Sequence, residues 1–346
     1  MIWASPLWAS PWTLPADEGA LSLSYDFSSA NKEFLPEGEF EGLQEFPLDG
    51  QFNSSRLAVG FRYGFTEKVE GELDVAIKQV NFESTPFVNG NMSEVENRST
   101  LYNGSEGIYD FSSTSTGFGD FRFKGRYNFW SKDEILKLTT ETSLKLPGGY
   151  EEPSGTFQGD EQQLGQIADD VTLGDGQVDV TQKLLFGGFI VPTRTFVRVE
   201  AGFRHRFGPP GDQGSAGLKV GQNLGQNLLL FVSSQGTLTV TEGSSIGKSF
   251  ISTEPDAEPY EMSGGPDGNV RQIPLTLDKD FLQLGGGMIV RLSAAEVQLS
   301  YRQIVWGRNI PAIKTASIST VFSFPDLTAG GKTSAKKNGE GSEDET

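Results

Sequence analysis

The chain has 346 residues, with 28 Lys and Arg against 46 Asp and Glu, a formal net charge of -18, 43 glycines, 25 phenylalanines, one histidine and no cysteine. Zero Cys removes disulfide frameworks, thiolate metal sites and Cys nucleophiles, and a single His removes any site built from two imidazoles. The acidic excess argues against a surface that gathers phosphates, so nucleic acid is not expected as a partner, and no apolar run is long enough for a helix to cross a bilayer of roughly 30 Å.

Residues 1–10 lack the basic start and apolar run of a full secretory signal. The small residues Ala4, Ser5, Ala9 and Ser10 resemble the end of one, so this stretch is read as a residual export signal or N-terminal extension. From there a period of two dominates. Leu57, Val59, Phe61, Tyr63 and Phe65 alternate with Arg56, Ala58, Gly60, Arg62 and Gly64, and Val69, Gly71, Leu73, Val75 and Ile77 alternate with Glu70, Glu72, Asp74, Ala76 and Lys78. Only Thr66, Glu67 and Lys68 separate the two runs, which is a hairpin connection.

The pattern returns at Phe121, Phe123, Tyr127 and Phe129 against Arg122, Lys124 and Arg126, and again at Leu136, Leu138, Leu144 and Leu146 against Lys137, Glu141 and Lys145. Strands are expected at 19–28, 54–65, 69–82, 117–130, 134–146, 176–188, 195–207, 215–223, 228–240, 281–292, 296–306 and 314–324. That makes twelve, with ten or fourteen as the neighbouring counts. Short links alternate with long ones rich in Gly, Ser, Asn, Asp and Pro, which read as solvated loops. The stretch 208–214 and the link 307–313 are the brief exceptions.

Alternating strands, short turns at one end and long loops at the other are the pattern of a closed antiparallel transmembrane β-barrel, all-β, with periplasmic turns and extracellular loops. One face is aromatic and aliphatic, whereas the other carries charges of both signs that need water or ionic partners. A lipocalin-like barrel with the apolar face inward and a large β-sandwich share the alternation. Chain length and the aromatic collar of Tyr63, Phe65, Tyr127, Phe129 and Trp130 beside the short turns favour the membrane barrel. The barrel is expected to span 11–324. A polar, disordered periplasmic tail is expected at 325–346.

Four stretches together resemble the outer-membrane barrels named for the MetA pathway of phenol degradation. They are Pro11 to Pro15 leading into Leu21 to Tyr25, Gly117 to Arg122, GDGQVDV from Gly174 to Val180, and YRQIVWGRN from Tyr301 to Asn309. The resemblance covers about residues 11–324 and implies a barrel in the outer membrane of a Gram-negative bacterium that takes up aromatic or other small hydrophobic compounds. It implies outer-membrane lipids and the barrel insertion machinery as partners. The terminal aromatic of exported barrels falls at Phe322 or Phe324, and here a polar tail follows it.

On the polar face, Asp120, Asp179 and, if its strand reaches so far, Asp175 are expected to oppose Arg62, Arg122, Lys124 and Arg126 from the early strands. Lys183, Arg198, Arg204, Arg206 and Arg302 come from the later ones. These residues are expected to line the lumen and form an electrostatic constriction, with an inner surplus of Arg and Lys that favours anions. A salt-bridge lattice that merely fills a narrow barrel is the equal alternative.

His205 shares phase with Val199 and Phe203, on the lipid side near the outer rim. A hydrolase would have to use it, yet no GxSxG elbow, Walker loop or Rossmann fingerprint accompanies it. Gly285, Gly286 and Gly287 lie inside a strand and read as sites of curvature or close packing. Asp160, Glu161, Asp169 and Asp170, like Glu254, Asp256, Glu258 and Asp267, read as solvated loop charge rather than a calcium site. No metal, cofactor or catalytic residue is expected. The function expected is passive passage of small molecules, with an outer-membrane hydrolase and a plugged structural or adhesive barrel as alternatives.

Overall fold

The computed structural model describes residues 11–35, 42–46, 49–85, 87–88, 108–109, 112–133, 135–150, 153, 172–252, 270–293 and 295–324. The residual signal, the C-terminal tail and the eight acidic loop residues named above lie outside them.

The period-two segments form the staves of one sheet: β1 (Gly19–Ala30), β2 (Gln51–Thr66), β3 (Val69–Glu83), β4 (Ser113–Phe118 and Phe121–Lys132), β5 (Leu136–Leu146) and β6 (Val178–Ile190) come first. Then follow β7 (Thr195–Phe207), β8 (Gln213–Leu224), β9 (Leu228–Thr239), β10 (Asp280–Arg291), β11 (Ala295–Arg308) and β12 (Lys314–Phe324). Every neighbouring pair is antiparallel. The sheet closes because β1 pairs with both β2 and β12, Tyr25 lying opposite Leu57 on one side and Ile318 on the other. Closure leaves no free edge, so each backbone group within the hydrocarbon has a strand partner.

The fourth strand is expected as one run but is built in two pieces. Both pair with β3, Phe118 opposite Ile77 and Arg122 opposite Asp74, and the interruption falls at Gly119 and Asp120. There the Gly119 N–H donates to the Ala76 carbonyl at 2.8 Å while the Gly148 backbone presses against Gly119, a Cβ at Gly148 falling 2.0 Å from the Gly119 oxygen. The chain from the next long loop thus enters between the pieces. Asp120 therefore sits at a break rather than within a strand.

Alternation sorts the side chains as lipid and water would. Leu57, Phe61, Leu73 and Phe123 point outward with 38–45% of their surface exposed, and the collar residues Phe65, Tyr127, Phe129 and Trp130 are exposed beside the short turns. A register shift between Leu138 and Thr139 leaves both Phe129 and Trp130 on the outer face. The tight turns use left-handed backbone at Asp133 (φ 52°), Arg194 (φ 53°) and Gly225 (φ 77°). Toward the loop end the outer face turns polar, with Gln79, Asn81, Ser55, Asn53 and Thr114 lining one shallow cleft. The boundary on β3 therefore falls just beyond Ile77, and the strands project past the apolar band.

Three of the connections expected to be solvated loops carry structure, one of them only the short pairing of Phe87–Val88 with Ile108–Tyr109. Lys32–Leu35 pairs with Gly42–Glu45 and with Ile310–Pro311, and Phe34 and Leu35 are buried. Phe34 packs on Ile304 and Ile310 with Phe281 alongside, an apolar cluster at the loop end of β10 and β11. Ser245–Ser252 and Val270–Thr276 form a separate hairpin.

Candidate functional site in the barrel lumen

Inside, charges meet across strands because the register places opposite signs side by side. One row reads Glu70, Arg126, Glu141 and Lys183 on β3, β4, β5 and β6, each directly opposite the next. Arg126 donates to Glu70 Oε1 at 2.6 Å and to Glu141 Oε2 at 2.6 Å, and reaches Glu72 Oε2 at 2.9 Å. Arg62 holds the other side of Glu70, its Nη2 2.6 Å from Oε2, and Lys124 pairs with Glu72 at 2.5 Å. Glu70 is 1% exposed and Arg126 3%. Charges taken this far from water persist only when each is paired, and here each is.

A second knot sits nearer the loops. Asp175 contacts both Lys145 and Arg206, and Asp179 lies 2.8 Å from Lys145 Nζ and 3.4 Å from Arg206 Nε. The strand β6 begins at Val178, so Asp175 reaches this knot from the loop. Asp120 accepts the Tyr150 hydroxyl proton, and Tyr150 also accepts from the Gly176 N–H at 3.3 Å. Burial, then that hydrogen bond to Asp120, pushes the Tyr150 hydroxyl well above its ordinary range. A third group joins Arg56 to Asp26 at 3.0 Å and to Asp74 at 2.8 Å, with Arg302 3.7 Å from Asp26.

The remaining expected residues are less satisfied. Lys183 approaches Glu200 at 3.6 Å, Glu200 also contacts Arg198, and Arg204 donates to Gln213 Oε1 at 3.2 Å. Arg122 faces the lumen without an ion pair among the described residues. All the residues expected on the polar face therefore do face inward or, for Asp120 and Asp175, meet that wall from a break or loop. Sequence reasoning left Asp26, Arg56, Glu70, Glu72, Asp74, Glu141, Lys145, Tyr150 and Glu200 out of the site. The phase of Glu70, Glu72, Asp74 and Glu141 was visible, and only their register was missing.

The lattice occupies one side of the lumen. On the other side small or neutral groups, among them Ser22, Ser24, Ser233, Gln235, Gly285, Ser300, Ser317 and Ser319, lie between separate ion pairs, Arg291 with Glu296 and Arg302 with Asp26. At the short-turn end, Phe196, Leu229, Phe231 and Ile289 form an inward-facing apolar cluster with Phe189.

Residues 11–18 run into that same end. The Pro11 carbonyl accepts from Thr139, and a Cβ at Gly187 would come within 2.2 Å of the Pro11 ring and 2.8 Å of the Trp12 indole. The Leu14 N–H donates to Glu70 Oε2 at 2.8 Å, and Leu14 packs on Ala20 and Val321. Pro15 lies on Gly64, where a Cβ would fall 2.0 Å from its oxygen, and the Asp17 N–H donates to the Gly64 carbonyl at 2.8 Å. The segment thus crosses from the β5 and β6 wall to β2, using glycines for close approach.

His205 points outward, 52% of its side chain exposed, with Nδ1 3.0 Å from Asp212 Oδ1 and its ring edge-on to Phe207. Asp212 accepts the Arg206 N–H as well, and the backbone bond and then His205 hold its carboxyl below the usual range.

A barrel greasy on its outside, ringed by aromatics at one rim and charged within, is a transmembrane β-barrel of the outer-membrane class. By sequence the chain matches no protein-family model and no curated protein. By structure it is similar to the COG4313 outer membrane channel from Pseudomonas putida F1, with a TM-score of 0.58 and 10% identity over 91% of this chain and 98% of that one. Similar at a TM-score of 0.43 is the beta domain of the Bordetella autotransporter BrkA, 13% identical over 89% of this chain and all of that one (100%). The CymD monoaromatic hydrocarbon channel follows at 0.41, 10% identical over 90% and 89%. The first likeness establishes a shared outer-membrane barrel fold.

Proposed function

We propose that the barrel is a passive channel for small molecules across the outer membrane. The observation that carries this is the lumen itself, with a dense paired charge lattice on one wall and, on the opposite wall, mostly Ser, Gln and Gly between the isolated pairs Arg291–Glu296 and Arg302–Asp26. A soluble barrel would fill that space with a continuous apolar core, and a purely structural one gains nothing from lining half of it with small polar groups. In this reading Arg62, Asp120, Arg122, Lys124, Arg126, Asp175, Asp179, Lys183, Arg198, Arg204, Arg206 and Arg302 shape the constriction, and the less paired of them, Arg122 and Arg204, bias it toward anions. The resemblance of four stretches to the barrels named for the MetA pathway of phenol degradation extends the reading to aromatic or small hydrophobic solutes. Outer-membrane lipids and the insertion machinery complete its partners.

A second reading, a barrel closed at rest, is favoured by the seating of residues 11–15 across the short-turn end. Planar-bilayer currents and proteoliposome swelling of the full chain and of a variant lacking 11–15 separate the two. Current and solute flux through the full chain support the open channel. Flux only after the deletion supports the plugged barrel, and flux through neither overturns both transport readings.

A further inference from the structure

Arg198 on β7 and Lys219 on β8 lie directly opposite each other on the inner face. Like charges in that position repel unless something negative lies between them. Glu200 contacts Arg198 but is shared with Lys183, and Glu296, the carboxylate acting on Lys219, pairs with Arg291 at 3.1 Å. Lys219 forms no ion pair among the described residues, and its ammonium sits 3.8 Å above the Phe231 ring. The Arg198 Nε is buried and has no acceptor, a cost that native structures rarely leave standing.

The surroundings match one kind of guest. Gly217 and Gly221, two residues before and after Lys219 on its inner face, add no side chain of their own. The Glu200 side chain lies against Gly217 and the Phe196 ring against Gly221, and Ser233 and Gly285 continue the row with small groups. Immediately toward the short-turn end lies the apolar cluster of Phe196, Leu229, Phe231 and Ile289. We infer that Arg198 and Lys219 form a binding site for monoanions with a compact apolar body, of the class of aromatic or alicyclic carboxylates. The carboxylate would accept from Arg198 Nε and the Lys219 ammonium, and the ring would rest toward the Phe231 and Phe196 side. A pair of charge-assisted bonds plus apolar contact discriminates against both neutral aromatics and small hydrophilic anions.

The inference rests on solute reaching the lumen, as the channel reading holds, so binding and conduction are measured separately. Benzoate, acetate and benzyl alcohol are titrated calorimetrically into the detergent-solubilised full chain, and each is added to planar-bilayer recordings in chloride. Benzoate is expected to bind saturably and reduce the current, with acetate and benzyl alcohol at least about tenfold weaker. Lys219→Gln is expected to weaken benzoate by about tenfold and Lys219→Arg to retain it, while Lys32→Gln, on the exposed loop-end pair with Glu45, leaves it unchanged. Equal benzoate affinity in wild type and Lys219→Gln, or benzyl alcohol binding as well as benzoate, overturns the site. A barrel that conducts without binding benzoate loses the site and keeps the channel, whereas one that binds benzoate without any current keeps the site and loses the channel.

Discussion

The backbone N–H of Leu14 donates to Glu70 Oε2 at 2.8 Å, on the same carboxylate that takes Arg62 and Arg126. One buried acid thus ties the entering segment to the charge lattice of β2, β3 and β4. Removing its charge leaves two guanidiniums short of a partner.

Glu70→Gln is therefore expected to destabilise the barrel by roughly 3–5 kcal/mol, the cost of breaking a buried ion pair from one side. The exposed pair of Lys32 and Glu45, 3.0 Å apart and about half exposed, is the control, and Glu45→Gln is expected to change stability by less than about 1 kcal/mol. Urea unfolding in lipid vesicles checks both. Similar midpoints for the two variants would remove the lattice from any account of what holds the barrel together.

Asp175 supplies a pH dependence with a definite sign. Burial opposes its ionisation, but Lys145 and Arg206 outweigh that and hold the carboxyl at about 2 against an ordinary 3.8. A folded value below the unfolded one means the tether contributes fully above pH 3.8 and fades as pH falls through about 2. Hydrogen exchange of residues 172–177, corrected for intrinsic rates, is expected to stay protected down to about pH 4 and to loosen between there and pH 2. Asp175→Asn is expected to be loose throughout. Protection that declines already between pH 7 and 5 would show that another group governs the loop.

How much of this was legible in the sequence depends on whether the signal was local. The alternation of Leu57, Phe61, Leu73 and Phe123 is local, because lipid on one side and lumen on the other impose a period of two on every strand, and strand number and hairpin order followed from it. The break at Gly119 and Asp120 was not legible. Asp120 fits the alternation, and what splits the strand is Gly148 arriving from a separate connection. The site was half visible for a related reason. Phase places Arg126, Glu70 and Glu141 on one face, but their meeting requires a register between residues 56 and 15 positions apart. Residues 11–15 have no periodicity at all, and their place inside the barrel is marked only by glycines on the far wall, at Gly64 and Gly187. Phe34, buried on Ile304 and Ile310, was hidden similarly, inside a connection whose polar average masked Phe34 and Leu35.

Depth along a single strand gives the sharpest test of what touches the outer face. Leu73 and Gln79 both point outward from β3, six residues apart, with Leu73 between Phe61 and Phe123 in the apolar band and Gln79 beside Asn53 and Asn81 in the polar one. In hydrocarbon an arginine at the level of Leu73 costs about 2–4 kcal/mol, and near the interface about 0–1. Leu73→Arg is accordingly expected to shift the urea midpoint strongly in phosphatidylcholine vesicles, with Gln79→Arg nearly silent. Because the chain has no native cysteine, Leu73→Cys and Gln79→Cys each accept a single spin label. The label at 73 is expected to collide preferentially with oxygen dissolved in lipid and the label at 79 with a water-soluble nickel complex. Equal small costs and equal water access at both positions would mean that water, not lipid, surrounds the outer face, and the membrane barrel would fall with it.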